Sequence, residues 1–404
     1  MEIIADLHIH SRHSRATSKN INLENLEKYA RIKGINLLGT GDFQHPLWNK
    51  EIKENLKEDE NGILWSKAGF PFIWQTEISF MYSQGWKGRA IHLVVLAPNG
   101  NTADKIIEYL KSKGRIDYDG RPIFGISCKQ FIKEVKEIDD RIEIICAHCM
   151  TSWFGIYGSE RGFDSLEEAF GEQTKHIYAV ESGMSANPAM LWRFKEKFNV
   201  VSFSDAHSFW PWRMGREATI LELDKLSYGN LIKAIRTGKG LKGTIETPPE
   251  YGKYHWDGHR NCNFSCSPSE TKKLGGKCPK CGKGLTIGVD YRVEEIAKEK
   301  SGYKPENARV FYELIPLHEL IALALGTRME SAKSWEIYNL IIERFGNELN
   351  VLMKVSREEM LRNKINEKLV EIILLGREGK LKVKPGYDGE YGVVLMPEEQ
   401  EKLF

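Results

Sequence analysis

The sequence predicts an α/β protein: residues 1–245 form a sheet of parallel strands that closes as a barrel, 246–290 a small cysteine-rich domain, and 291–404 a mainly helical domain. Three observations predict this. Apolar runs of strand length alternate with segments of helical period up to about Gly243, which is the signature of repeated βα units. Histidines and acids stand at or just beyond the ends of those runs, where such barrels build their sites. No Gly-X-Gly-X-X-Gly follows the first strand, so the open doubly wound alternative lacks its fingerprint.

The chain opens on Glu2-Ile-Ile-Ala and runs into Asp6-Leu-His8-Ile-His10, where a two-residue period puts Asp6, His8 and His10 on one face. Asn22 caps a helix through Leu23, Leu26 and Ala30 that stops at Gly34, and Ile35–Gly39 is the next strand. Thr102 and Ser127 cap the helices Ala103–Lys113 and Cys128–Ile138, and Asn187-Pro188 starts another. The strands between include Ala90–Leu96, Ile142–His148, Ile177–Glu181 and Val200–Ser204. Thr-Pro-Pro texture after Thr244 marks a boundary. Beyond Asp290, Pro316–Leu325 and Ser331–Phe345 have helical spacing, Ser356 with Glu359 makes a capping box, and Lys380–Gly392 is a lysine-edged strand and turn.

The 58 basic and 56 acidic side chains nearly cancel, so total charge points to no polyanionic partner and any such partner must be argued locally. No run of about 18 apolar residues and no signal-peptide pattern is present, so a soluble cytoplasmic protein without a membrane partner is expected. Of the seven cysteines, Cys262, Cys266, Cys278 and Cys281 cluster as two pairs, the second within Cys-Pro-Lys-Cys-Gly. Two such pairs make a tetrahedral thiolate shell, so one structural zinc on these four is expected, with His255 and His259 as nearby surface residues.

Asp205-Ala-His207 repeats the chemistry of the first strand end, and Asp42, His45, Glu77, His92, His148 and Glu181 lie between. That is too many ligands for one ion. Carboxylates between imidazole clusters can bridge, so two or three divalent ions, of zinc, manganese or magnesium, are expected. Ions about 3.5 to 4 Å apart suit hydrolysis at phosphorus.

Asp6-Leu-His-Ile-His10, Gly41-Asp42, Ala147-His148 and Ser204-Asp-Ala-His207 resemble the motifs of PHP (polymerase and histidinol phosphatase) domains. This resemblance covers about the first 240 residues and implies an irregular (β/α)7 barrel with a trinuclear metal site. With Tyr254-His-Trp-Asp-Gly-His-Arg260, the cysteine knuckle and Pro385-Gly-Tyr-Asp-Gly389, the whole chain is similar to the endonuclease Q family of DNA-repair enzymes. That resemblance implies hydrolysis of the phosphodiester 5′ to a deaminated base (hypoxanthine, uracil, xanthine) or an abasic site in double-stranded DNA, with a sliding clamp as a further candidate partner. It assigns metal-ligand roles to His8, His10, Asp42, Glu77, His92, His148, Glu181, Asp205 and His207, with catalysis resting on Asp205, His8, His10, Glu77 and His148. Ser14-Arg-Ala16 and Gly41-Asp-Phe43 depart from the common PHP motifs, which leaves Asp42 and His45 as alternatives for one ligand.

Beyond the metal strands, Trp153, Phe154, Trp210, Trp212 and Arg213 could stack on an unstacked base or meet phosphate, and the bland alternative is that the tryptophans pack their loops. A small-molecule phosphatase of the histidinol-phosphate type is the second reading, and it leaves about 160 appended residues unexplained.

Overall fold

The computed structural model describes residues 1–395. Its main sheet contains β1 (Glu2–Asp6), β2 (Leu37–Gly39), β3 (Pro71–Gln84), β4 (Lys87–Ala97), β5 (Glu143–Cys146), β6 (Ala179–Glu181) and β7 (Asn199–Val201), hydrogen-bonded in the order β7-β6-β5-β4-β3-β2-β1. The sheet curls round on itself. A single bridge, Ile9 to Ala206, with His10 N–H donating to Ala206 O at 3.0 Å, joins the extension of β1 to that of β7 and closes the seven-stranded ring. One apolar cluster, including Ala5, Leu37, Ile73, Val94, Ile145, Ala179 and Val201, fills that ring.

Strand direction differs from the wholly parallel expectation. β3 and β4 form one long antiparallel hairpin, and β4 is antiparallel to β5 as well. Gly85 and Trp86, both at φ near +60°, make a two-residue turn whose twist matches the strands, so no crossover helix separates them. Glu77 and His92 consequently sit inside long strands rather than at strand ends.

Helix ends follow the sequence closely. Asn22, Ser127 and Asn187 each accept a backbone N–H at their helix N-terminus, and Gly34 closes Leu23–Lys33 in the left-handed conformation. The helix expected from Thr102 starts earlier, at Gly100, because Asn99 takes the cap.

The sheet continues past β1 through β8 (Ala218–Glu222) and β9 (Leu241–Glu246). A small hairpin, β10 (Asp257–His259) with β11 (Phe264–Cys266), then carries the cysteines, and β12 (Val310–Glu313) returns to pair in parallel with β9. The C-terminal helices Leu317–Leu325, Ala332–Phe345, Glu348–Met353 and Glu367–Arg377 pack beside that edge. They meet the barrel at an aromatic seam. Trp212 stacks on Trp210 with centroids 5.5 Å apart and lies against His318 and Trp335, while Lys33 Nζ reaches Glu348 Oε1 at 2.7 Å. No helix among the described residues is long and apolar enough to cross a membrane.

Candidate active site

Three site residues, Asp42, His148 and Asp205, hold positive φ (39°, 29° and 47°) although none is glycine. Such strained turns at strand ends swing the next side chain off the sheet's alternation, and they concentrate at functional sites. His148 is backed by Gly183 at φ +69°, where a Cβ would stand 2.6 Å from His148 Cβ.

Two donor groups meet on Glu77. One comprises His8, His10, Glu77 and Asp205, the other Glu77, His92 and His148. Glu77 Oε2 lies 3.2 Å from His10 Nε2 and 3.5 Å from His8 Nε2, and Asp205 Oδ1 lies 3.0 Å from His10 Nε2. The other oxygen, Oε1, is 2.8 Å from His92 Nδ1 and 3.1 Å from His148 Nε2. A carboxylate divided in this way between two pairs of imidazoles has the form of a bridging ligand.

Two further expected ligands, Glu181 and Asp42, stand one layer out. Glu181 Oε2 is 2.9 Å from His8 Nδ1 and also accepts His148 N–H, so both its bonds face ligand-bearing residues rather than the cluster. Asp42 Oδ1 is 3.0 Å from His10 Nδ1, and its Oδ2 accepts Ser11 N–H, Ser11 Oγ–H and Ser14 Oγ–H. Carboxylates behind imidazoles fix the tautomer and aim Nε2 forward. His207 lies at the mouth, its ring 4.6 Å from that of His10. His45 stacks on His13 instead, at 4.2 Å. Asp6 does not face the cluster as the strand period predicted. It is wholly buried, accepting from Ser204 N and Gly215 N, and ties the ends of β1 and β7 together.

The site is built for cations. Burial opposes charge on Glu77 and Asp205, yet His92, Arg121 and His8 hold the first carboxyl well below its ordinary range, and His207, His8 and His10 do the same for the second. Burial also opposes charge on His8, but Glu181, Glu77 and Asp205 draw a proton to it. His8 Nε2 is buried with no hydrogen-bond partner, although it points among carboxylates. An unsatisfied nitrogen of this kind, beside a bridging acid, fits divalent metal. Arg121 Nη1 sits 3.0 Å from Glu77 Oε2. Sequence reasoning missed it, and the only signal was its place in the short turn Asp119-Gly-Arg121.

Arg121, His92, His148, Asp205 and His207 line an open cavity of about 540 Å³, and Glu77, His8 and His10 lie wholly buried behind them. Phe154, stacked on His92 at 4.4 Å, and Arg213 line it. Trp153 is exposed outside the lining, and Trp210 and Trp212 belong to the seam with the C-terminal helices, packing their loop.

The cysteine domain gathers His259, Cys262, Cys278 and Cys281. His259 therefore stands where Cys266 was expected. β11 pairs Phe264 with His259 and carries Cys266 two residues on, opposite Asp257, where its Sγ meets Thr271 Oγ1 at 3.2 Å. Burial opposes it, but the backbone amides of Lys280 and Cys281 bring the Cys278 thiol down to about 7, which favours thiolate.

The fold resembles solved structures over the whole chain. The lesion-specific endonuclease PfuEndoQ from Pyrococcus furiosus superposes with a TM-score of 0.87 at 30% identity, covering 100% of this chain and 98% of that one. The chain belongs to the endonuclease Q family. It thereby joins a family of DNA-cleaving hydrolases. An endonuclease Q in complex with a 27-mer duplex bearing an abasic lesion at its active site superposes with a TM-score of 0.88 at 30% identity, covering 99% of this chain and 98% of that one. Residues 316–380 match the MJ0043 C-terminal domain family. The uncharacterized protein MJ0043 of Methanocaldococcus jannaschii is 32% identical over 292 residues, which are 70% of this endonuclease Q chain and 35% of that longer protein. None of these relatives lends support to a sliding-clamp partner.

Proposed function

We propose that this protein is a metal-dependent DNA-repair endonuclease that hydrolyses the phosphodiester 5′ to a deaminated base or an abasic site in duplex DNA. The observation that carries the reading is the division of Glu77 between two histidine pairs, buried directly behind the His92, His148 and Asp205 lining of a cavity wide enough for an extruded nucleotide. His8, His10, Glu77 and Asp205 would hold one ion, and Glu77, His92 and His148 a second. The metals would supply a hydroxide nucleophile and neutralise the leaving oxygen. Glu181 and Asp42 keep the His8 and His10 rings aimed at the cluster, Asp205 remains a carboxylate at working pH, and Arg121 adds a positive charge at the rim. Phe154 presents an aromatic edge beside the cluster against which a flipped residue can rest.

His259, Cys262, Cys278 and Cys281 would hold one structural zinc that keeps the small hairpin folded. The cysteine domain and the C-terminal helices would grip the duplex.

The test is a labelled duplex carrying one hypoxanthine or one abasic site, incubated with protein and manganese or magnesium. A single nick immediately 5′ of the lesion is expected, with undamaged duplex left intact and with Asp205→Ala inactive yet still binding DNA. Hydrolysis of histidinol phosphate without nicking would replace this reading with the phosphatase.

A further inference from the structure

The wall of the cavity away from Glu77 is assembled by residues from distant parts of the chain. Arg213 and Arg216 follow β7, Lys253 precedes the cysteine hairpin, and Tyr391 belongs to the end of the described chain, and all four line the same cavity as His148 and Asp205. Tyr391 lies between cations, with Arg213 5.2 Å and Lys253 4.6 Å from its ring centroid. Arg216 is 7% exposed; one of its nitrogens donates to Ser204 O, and its Nε and Nη1 have no partner. Arg213 Nη1 is also buried without a partner. Buried guanidinium donors left unsatisfied are costly, and three cations gathered on one wall repel one another. Both costs disappear when an anion is bound. Burial raises the Tyr391 phenol, but the charges of Arg216, Arg213 and Lys253 and a hydrogen bond with Arg216 bring it below its ordinary value, while the acids Glu217, in the same lining, and Glu319 face the arginines.

We propose that Arg213, Arg216, Lys253 and the Tyr391 hydroxyl form a second phosphate site, which takes the phosphate on the 3′ side of the lesion nucleotide while the scissile 5′ phosphate lies at Glu77. This rests on the endonuclease reading above and goes further than it. A nucleotide extruded into the cavity brings two phosphates. Fixing the one that is not cut orients the sugar between two anchors and decides which bond faces the metals. Such a clamp needs no base, so it acts on an abasic site as it does on hypoxanthine. The fork of a guanidinium suits two oxygens of a phosphodiester, and the lysine adds a point charge.

The experiment uses an abasic duplex in which the phosphate 3′ to the lesion is a neutral methylphosphonate, with a second duplex modified at the phosphate 5′ to the scissile one. The full-length protein is compared with Arg213→Gln and Lys253→Met, the latter at an exposed position. For the unaltered protein the 3′ methylphosphonate should weaken cleavage about tenfold or more, mainly through KM. Each variant should lose a similar factor on the ordinary duplex and little further on the modified one. Equal losses for the variants and the unaltered protein, or coupling only at the 5′ position, would overturn the assignment. Normal nicking without 3′ coupling would remove this site alone, whereas no nicking by the unaltered protein would remove the endonuclease reading itself.

Discussion

The Asp42 carboxylate lies 3.0 Å from Nδ1 of His10, on the side of the ring opposite the Nε2 that faces Glu77 and Asp205. We propose that Asp42 acts through His10 rather than as a ligand itself. Asp42→Asn should lower metal affinity about 10- to 100-fold, and excess manganese should restore much of the nicking. Asp205→Ala, which removes a carboxylate from the cluster itself, should not recover at any metal concentration. Metal titration of nicking by both variants checks the distinction. Equal rescue of the two would place Asp42 and Asp205 in the same layer.

Lys33 and Glu348 bind the barrel to the C-terminal helices through a pair that is almost wholly buried, at 1% and 0% exposure. Glu348 also accepts Leu317 N–H and Tyr338 Oη–H, and Lys33 donates to Pro211 O. Lys33→Met leaves a buried carboxylate without its cation and should cost about 3–5 kcal/mol. Adding Glu348→Gln, which removes the stranded charge and keeps an acceptor, should return part of that loss. Urea unfolding of the two variants measures it.

Much of this was legible in the sequence because the signals were local. The caps at Asn22, Ser127 and Asn187 depend on one side chain and its next turn, and the His8/His10 and Asp205/His207 pairs lie at the ends of recognisable strands. What escaped depends on contacts between segments far apart in the chain. Whether Asp42 and Glu181 face the cluster or the rear of an imidazole is set by the closure of the barrel, and no spacing encodes it. His259 displaces Cys266 from the cysteine site because the β10–β11 register, not the count of cysteines, decides which groups meet. The antiparallel turn of β4 was signalled only by Gly85-Trp86, which reads as ordinary polypeptide until both residues are found at positive φ. Trp210 and Trp212 are aromatic for packing, since their partner is His318 and the helix that carries Trp335.

His318 is fully buried, and neither ring nitrogen has a partner. Burial among Trp212, Trp335 and Tyr338, with Lys33 nearby, lowers its imidazole to about 3. The unfolded chain titrates near the ordinary value of about 6.5. Between those values the unfolded state binds the extra proton, so the stabilisation is complete above about pH 6.5 and drains away as pH falls toward 3. From pH 7 to pH 5 this one group should remove about 2 kcal/mol. His318→Phe has no such proton to bind, so its stability relative to the unaltered protein should improve steadily over that interval. A constant difference across the pH range would show that His318 titrates in the fold as it does in the unfolded chain.

The cysteine domain gives a test of ligand identity that needs no DNA. Cys262, Cys278 and Cys281 converge with His259, whereas the Cys266 thiol is turned to Thr271. Zinc bound by three thiolates and one imidazole needs each of the four, because losing one opens the tetrahedral shell to water and exchange. Zinc content per chain after dialysis should therefore be unchanged for Cys266→Ser and fall by about one ion for His259→Ala and Cys281→Ser. The two zinc-poor variants should also expose the β10–β11 hairpin to protease, since the apolar core beneath it is small, with Cys266, Cys278 and Leu285 as its buried members. A Cys266→Ser protein that loses its zinc while His259→Ala keeps it would restore the four-cysteine shell and remove His259 from the site.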